Sequence, residues 1–477
     1  MNKLGKTFKR VLLFIILLIA YLYIGGVLVF AFDQPSRSDF IDQHPVDRFY
    51  HDGEGPDRVV LIEQRLEALL ARLDLIRNAE NTLDIAYYRY FNDYAGKLFF
   101  HALSEAADRG VQVRLLVDGQ FVKFQDVRKA FYALTLHDNI EIHIYEPINL
   151  LLPWTIQNRL HDKFMIADQK YAMIGGRNIQ YRFYAPDNHP GRITNDLDVL
   201  IINTSEQTDS SVIPQMSRYF DSLWSSSYTK PLKVKRSDLK KGKAYQDALE
   251  AFITKERRIN PHFFQSAIDW LSHSYPTRRV TLIHNPIERL NKEPWIWYDL
   301  TRLVERAESS VFILSPYVVP TRKMLEYIDD IKVPSEHITF FTNSIPVNPN
   351  RFGMMGYMKR RNDLVDKGYK IYEYQGPETF HGKAFMIDER LTLIGSFNLD
   401  ARSTFLSTES MVVIDSVEFA EHFKTVIENK YLNKSLLVLE DYTYGPNPII
   451  TPATMKQREL RLYKLLGIVF NWHDYMI

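Results

Sequence analysis

The chain of 477 residues has no cysteine. That excludes disulfides, thiolate catalysis and cysteine-based zinc sites, and it leaves the redox compartment open. A charge excess is also missing, because 59 Lys+Arg stand against 58 Asp+Glu. A dedicated nucleic-acid binder usually carries surplus positive charge, so a nucleic-acid partner is not expected. The 14 histidines form no HExxH or other close His/carboxylate cluster at metal-ligand spacing. Neither a metal nor another cofactor is expected.

One uncharged run stands out. Val11 to Ala31 is 21 residues without a charge, long enough at about 1.5 Å per residue to cross a bilayer core. Lys3, Lys6, Lys9 and Arg10 precede it, and Asp33, Asp39, Asp42 and Asp47 outnumber Arg37 and Arg48 after it. By the positive-inside bias the amino end stays cytoplasmic and the body is exported. The expectation is a single-pass protein of the bacterial inner or cell membrane, its body periplasmic or extracellular. A cleaved signal peptide ending near Val29-Phe30-Ala31 is the competing reading.

The rest is one unit written twice. His161-Asp-Lys163-Phe-Met-Ile-Ala-Asp168 reappears as His381-Gly-Lys383-Ala-Phe-Met-Ile-Asp388, and Asn178 and Asn398 follow their histidines at the same offset of 17. Ala79-Glu-Asn-Thr-Leu-Asp-Ile85 also matches Ala307-Glu-Ser-Ser-Val-Phe-Ile313. In each copy, apolar residues at helical spacing (Leu66, Leu69, Leu70, Leu73 and Ile76; Ile296, Leu300, Leu303, Val304 and Ala307) lead into a strand, Leu83–Tyr87 or Val311–Ser315. A second helix, Leu98–Asp108, then leads through Gly110 to a strand at Val113–Val117. Alternating helices and strands predict an α/β sandwich in each half. Similar halves carrying the same polar motif predict packing about a pseudo-twofold axis, with one shared site.

Positions i and i+2 of a strand face the same way. His161 therefore projects with Lys163, and His381 with Lys383. Unpartnered, such pairs cost free energy in a core; a phosphate is their natural partner. The lysines and the amides of Asn178 and Asn398 are candidate donors to its non-bridging oxygens. One histidine attacks phosphorus and the other protonates the leaving alcohol, then activates the incoming one. Asp168 and Asp388 complete the motif at the strand ends, where structural or orienting roles are expected. One such motif is expected by chance about 0.04 times with residues near one in twenty, so two copies inside a wider repeat are not accidental.

At these residues the sequence resembles the phospholipase D superfamily, over about Arg58 to Leu432. Gly395-Ser-Phe-Asn-Leu-Asp-Ala-Arg-Ser403 and Ser315-Pro-Tyr-Val-Val-Pro-Thr321 resemble bacterial cardiolipin synthases. Phe341-Thr-Asn-Ser344 and the first motif's Gly-Gly-Arg-Asn resemble their C-type branch. The single apolar run departs from the pattern, since A-type members look to have two spans and C-type members often none. The resemblance implies two phospholipase D-type α/β domains and a metal-independent ping-pong reaction through phosphohistidine. By position it implies His161 as nucleophile, His381 as general acid/base, and Glu409 and Asp196 as histidine-orienting acids.

The expected layout is a basic tail (1–10), anchor (11–31), linker (32–57), first domain (58–228), basic linker (229–280), second domain (281–432) and a carboxy-terminal extension (433–477). The segment Lys230 to Lys243 reads as a solvated linker, with anionic headgroups as the alternative contact. Leu150, Leu151 and Trp154, bracketed by Pro147 and Pro153, read either as an interfacial loop touching acyl chains or as core. Leu460, Tyr463, Lys464, Leu466, Gly467, Val469, Phe470 and Trp472 fit a terminal helix that packs on the body or docks on a membrane. The leading function is a phosphatidyltransferase that joins two phospholipids, with phosphatidylglycerol as donor and acceptor and phosphatidylethanolamine as another donor. Hydrolysis of phospholipid or nucleic-acid phosphodiesters is the alternative. A non-catalytic tether is disfavoured by eight intact motif positions.

Overall fold

The computed structural model describes residues 3–33, 35, 38–122, 127–205, 210–265, 268–328 and 331–476. Arg37 and the side chains of Lys3, Lys6, Val469 and Phe470 lie outside the described residues. Two mixed sheets carry the body. Across the first, the strands run Thr229–Pro231, Ile140–Tyr145, Gln112–Asp118, Thr82–Tyr87, Lys163–Ala167, Tyr171–Gly175, Asp198–Asn203, Asp57–Ile62 and Tyr275–Pro276. The second repeats the first eight as Ser435–Leu437, Lys370–Tyr374, Ile338–Asn343, Val311–Leu314, Ala384–Ile387, Leu391–Gly395, Ser410–Asp415 and Arg279–His284. The three central parallel strands of each unit are joined by helices, and the motif strand pairs antiparallel beside them.

Both faces of each sheet are covered, which is why strands such as Asp198–Asn203 are buried at every position. Leu83, Ile85 and Tyr87 enter the first unit's outer core, while Ala86, on the opposite face, enters a core shared by both units. That shared core joins Phe164, Ile174 and Val199 to Leu314, Ile394 and Val412, with the apolar faces of helices Ile213–Ser225 and Val417–Lys430 between them. The helices read from periodicity appear as Arg65–Asn78, Tyr94–Asp108 and Trp295–Arg306. Leu66 is the exception on its face, being exposed.

Three expectations are corrected. The basic linker is structured: Thr229–Pro231 is an edge strand of the first sheet, and Arg236–Ile259 is a 24-residue helix. That helix lies against Arg128–Leu134 so closely that a Cβ at Gly242 would meet the Tyr132 carbonyl carbon at 2.6 Å. Its lysines point outward, which is why its sequence reads as solvated. The second unit likewise extends past 432 to Ser435–Leu437; both missed strands are three-residue edges, too short for a period-two pattern. The expected anchor, 11–31, also rests in part on the body. It belongs to a helix continuous from Lys3 to Phe32 with a π-turn at Ile24–Leu28. Beyond Ile24 this helix docks on the body, burying Gly26 and Phe30. Among the described residues, Thr7–Phe32 is the one helix long and apolar enough to cross a membrane.

The motif aspartates close turns. Asp168 accepts hydrogen bonds from the backbone N–H groups of Glu80, Asn81 and Thr82. Asp388 accepts from those of Glu308, Ser309 and Ser310 and from Ser309 Oγ. These two turns are the upstream stretch of the sequence repeat. Both aspartates lie a full strand away from the motif histidines, so of the structural and orienting roles expected, the hydrogen bonds fit the structural one. Burial pushes the Asp388 carboxyl up, but the hydrogen bonds at Ser309 and Ser310 overcome this and hold it below its ordinary value. Its contribution is therefore present above the unfolded pKa and lost as pH falls through the folded one. We expect Asp388→Ala to cost about 1–2 kcal/mol in denaturant unfolding, with activity changed only in proportion to folded protein. Lost activity at unchanged stability would put Asp388 in the reaction instead.

Candidate active site

Two short parallel strand pairs cross between the units and build the site. Arg159–Leu160 pairs with Ser407–Thr408, and Thr194–Asn195 pairs with Thr379–Phe380. The residues that follow these pairs are His161 beside Glu409 and Asp196 beside His381. The His161 N–H donates to the Thr408 carbonyl at 3.1 Å, and the His381 N–H to the Asn195 carbonyl at 2.8 Å. Each histidine thereby meets the carboxylate of the other unit. His161 Nδ1 lies 2.8 and 2.9 Å from the two Glu409 oxygens, and His381 Nδ1 lies 2.6 Å from Asp196 Oδ2. A carboxylate only accepts, so Nδ1–H donates and Nε2 presents its lone pair to the site. The carboxylates are fully buried, while the imidazoles keep 16% and 17% exposure.

Both lysines are buried beside their histidines. Lys163 Nζ donates to the His161 carbonyl, and Lys383 Nζ donates to the His381 carbonyl and lies 2.8 Å from His381 Nδ1. Asn178 and Asn398 are buried, and their side-chain oxygens have no partner among the described residues. The close strand approach needs glycine: a Cβ at Gly176 would meet Asp196 Oδ1 at 2.1 Å, and one at Gly395 would meet the Ser410 carbonyl oxygen at 2.2 Å.

The charges act as one cluster. Burial lowers His161 well below its ordinary value, and Lys163, Lys383 and Arg402 lower it further. His381 falls to about 3 through burial and Lys383, against the pull of Asp196. Burial likewise brings Lys163 to about 8 and Lys383 to about 7. The two carboxyls diverge. Burial raises Glu409 to about 7 despite Lys163 and its serine hydrogen bonds. Burial also pushes Asp196 up, but Lys383 and His381 outweigh it and hold Asp196 below the usual carboxylate range. Two neutral imidazoles beside the buried Lys163 and Lys383 and near Arg402 make the site an electrostatic complement of an anionic phosphodiester.

A match to a protein-family model decides the lineage. The model described as "Cardiolipin synthase, PLD-like domain" matches residues 73–224 and 300–431, more than half of the chain. The chain belongs to this family. It is an enzyme of the phospholipase D superfamily, a phosphatidyltransferase acting on phospholipids. Cardiolipin synthase C of Escherichia coli (strain K12) is 27% identical over 410 residues, covering 78% of this chain and 84% of that protein. An uncharacterized protein of Helicobacter pylori (strain ATCC 700392 / 26695) is 26% identical over 417 residues, 78% of each chain. In fold, the chain is similar to the phosphatidylserine synthase of Haemophilus influenzae Rd KW20. The TM-score is 0.60 at 14% identity, over 88% of this chain and 95% of that one.

Within this phospholipase D-like centre, several residues were not singled out from the sequence. Tyr88 sets its ring edge-on to His161 at 4.8 Å and under Lys163 Nζ at 5.3 Å, and Phe183 flanks His381 at 5.3 Å. Ser396 Oγ donates to Glu409. Arg72 and Arg177 converge on Asp198 at 2.8 and 2.9 Å, a buried brace two residues past Asp196. Tyr88 stands one residue past its strand, so only its place after a repeated strand could have flagged it. The loop expected at the interface divides: Leu150 and Leu151 are exposed, whereas Trp154 packs partly against the second unit's core. Of the two readings, Leu150 and Leu151 fit the interfacial one, and Trp154 leans toward the core, because Pro153 starts a 3-10 turn there. Among the described residues, no group of three or more His, Cys, Asp or Glu could hold a metal ion.

Proposed function

We propose that the protein is a cardiolipin synthase that transfers a phosphatidyl group through a phosphohistidine, with phosphatidylglycerol as both donor and acceptor. The observation carrying this reading is the crossed arrangement, in which each histidine is bound by a carboxylate of the opposite unit, so neither half is a complete site. His161 Nε2 attacks phosphorus, and the bond to the donor's glycerol breaks as His381 protonates the departing oxygen. His381 then takes the proton of the acceptor hydroxyl, whose oxygen displaces His161 from phosphorus. With phosphatidylglycerol twice, the products are cardiolipin and glycerol. Lys163, Lys383, Asn178 and Asn398 hold the non-bridging oxygens. Glu409 and Asp196 fix the imidazole tautomers. The assignment of nucleophile is supported by the divergent carboxyls: Glu409 gives weak support to a charged His161, whereas ionised Asp196 favours a charged His381 once a phosphate neutralises Lys383.

The basic residues before Thr7–Phe32 support an amino terminus in the cytoplasm and a body on the exported face. Full-length protein incubated with phosphatidylglycerol vesicles, with and without phosphatidylethanolamine, is expected to yield cardiolipin by mass spectrometry. His161→Ala is expected to yield none. Phosphatidic acid alone would make it a phospholipase.

The pH dependence follows from the same groups. Glu409 must be ionised to accept from His161, so kcat/KM is expected to fall as pH drops through about 7. Both lysines must be charged to bind phosphate, and Lys383 is the first to lose its proton, so it falls again as pH rises above about 7. Bound anion raises both lysines, moving the basic limb of kcat to higher pH than that of kcat/KM. Rate profiles of the wild type and Glu409→Gln check this; Gln should abolish the acid limb and leave the basic one. A wild-type profile with no fall on either side of neutral pH would contradict the assignment.

A further inference from the structure

A cavity of about 450 Å³ opens where the membrane-spanning helix meets the body. Tyr23 and Val27 of that helix line it together with Phe352 and Met476 of the body. Tyr317, Asp400 and Arg402 line it as well. The lining is mostly apolar but includes the polar Asn350 and His473 and the charged Asp400 and Arg402, and the volume is in the range of small-molecule sites. Tyr23 Oη lies 2.7 Å from His473 Nε2, tying the helix to the carboxy terminus. At the π-turn, the Gly26 carbonyl accepts from Gln157 Nε2 at 2.9 Å. Gln157 Oε1 in turn accepts from Arg402 Nη2 at 2.9 Å. Pro153 sits where a Cβ on Gly25 would stand, with its Cγ at 2.5 Å. A π-turn in a helix often marks a functional site; this one connects the membrane helix by two hydrogen bonds to a guanidinium whose field reaches His161.

We propose that this cleft is a lateral port for a membrane phospholipid. Its glycerophosphate enters between Val27 and Phe352, its acyl chains stay along the exposed face of the membrane-spanning helix, and Arg402 guides the phosphate toward His161. The proposal rests on the phosphatidyltransferase reading and adds the path that reading lacks. The occupant is a bilayer lipid because Tyr23 and Val27, which line the cleft, continue the helix directly from the exposed apolar run Val11–Ile19. The same side carries Leu151, whose carbonyl accepts from Tyr21 Oη at 2.7 Å. The terminal helix Gln457–Phe470 adds exposed Leu462, Leu465 and Ile468, and Trp472 follows it. These are residues suited to an interface. The cavity has room for a headgroup and glycerol but not for two acyl chains, so the chains must remain outside.

The test uses full-length protein in vesicles with phosphatidylglycerol carrying a diazirine on its headgroup glycerol. Label is expected on Gly25–Phe32 and on the segment around Phe352; label confined to Thr7–Tyr23 would overturn the port. In parallel, Val27→Trp is expected to lower the ratio of turnover on long-chain to dihexanoyl phosphatidylglycerol by about tenfold, the scale of a blocked apolar contact. An unchanged ratio would also overturn it. If the wild type cleaved bis(p-nitrophenyl) phosphate but transformed no phosphatidylglycerol, the proposed function would fail, while the labelling would still decide the port.

Discussion

His381→Ala protein mixed with phosphatidyl-p-nitrophenol is expected to accumulate close to one covalent phosphatidyl group per chain, on His161. A nitrophenolate leaves without a proton, so the first displacement no longer needs His381. The second displacement still does, because the acceptor hydroxyl must lose its proton as it attacks. The intermediate then forms faster than it is resolved. With phosphatidylglycerol the same variant should be slow in both steps, since glycerol is a poor leaving group. His161→Ala should form no adduct with either substrate, and its turnover should fall by about 10⁴-fold or more, the scale of losing a covalent nucleophile. Intact-mass analysis after rapid quenching, followed by peptide mapping, checks both. An adduct on His381 in the His161→Ala protein would reverse the two roles.

Asp196→Asn should be nearly as damaging, although Asp196 touches no substrate. Its carboxylate is fully buried and lies 2.6 Å from His381 Nδ1. An amide there offers a donor as readily as an acceptor, which frees the wrong tautomer and withdraws the charge that stabilises an imidazolium. The expected loss in kcat is about 10³–10⁴-fold, as for orienting carboxylates of this kind, with little change in KM. Glu409→Gln should cost less, about 10²-fold, because burial already lifts Glu409 to about 7 and a neutral His161 needs orientation more than charge. Steady-state kinetics on both variants tests the order. Equal losses would remove the asymmetry from which the nucleophile is argued. Because Asp196 is held low in the folded state, its ionised form stabilises the protein above its unfolded pKa, and that stabilisation is lost as pH falls. Asp196→Asn should therefore also melt earlier at neutral pH, with the difference shrinking in acid.

Much of this site was legible in the chain because its chemistry is local. His161 and Lys163 sit two residues apart, and the repeat at His381 removes coincidence. The glycine turn and asparagine follow at one offset in both copies. The crossing was not legible. His161 and Glu409 are 248 positions apart, and no spacing within one unit tells which histidine an acid will meet. That pairing is fixed by two-residue strands, Arg159–Leu160 and Thr194–Asn195, which are too short to carry any pattern. The strands Thr229–Pro231 and Ser435–Leu437 were missed for the same reason. The amino-terminal helix was read correctly as apolar, but hydropathy cannot separate its exposed residues from those that dock on protein. Phe30 is as hydrophobic as Phe14, yet only Phe14 is exposed. Gln157 and Arg402 belong to no repeated motif, and only the folded chain joins them to Gly26.

The central claim is that two histidines, one from each unit, act in succession on a single phosphorus. The stereochemical course at that phosphorus tests it most directly. A phosphatidylglycerol made chiral at phosphorus with oxygen isotopes, converted by the enzyme in an alcohol acceptor, should give product with retained configuration, because each in-line displacement inverts it once. Inversion would mean that the acceptor attacks the donor directly, without a phosphohistidine, and would contradict the account.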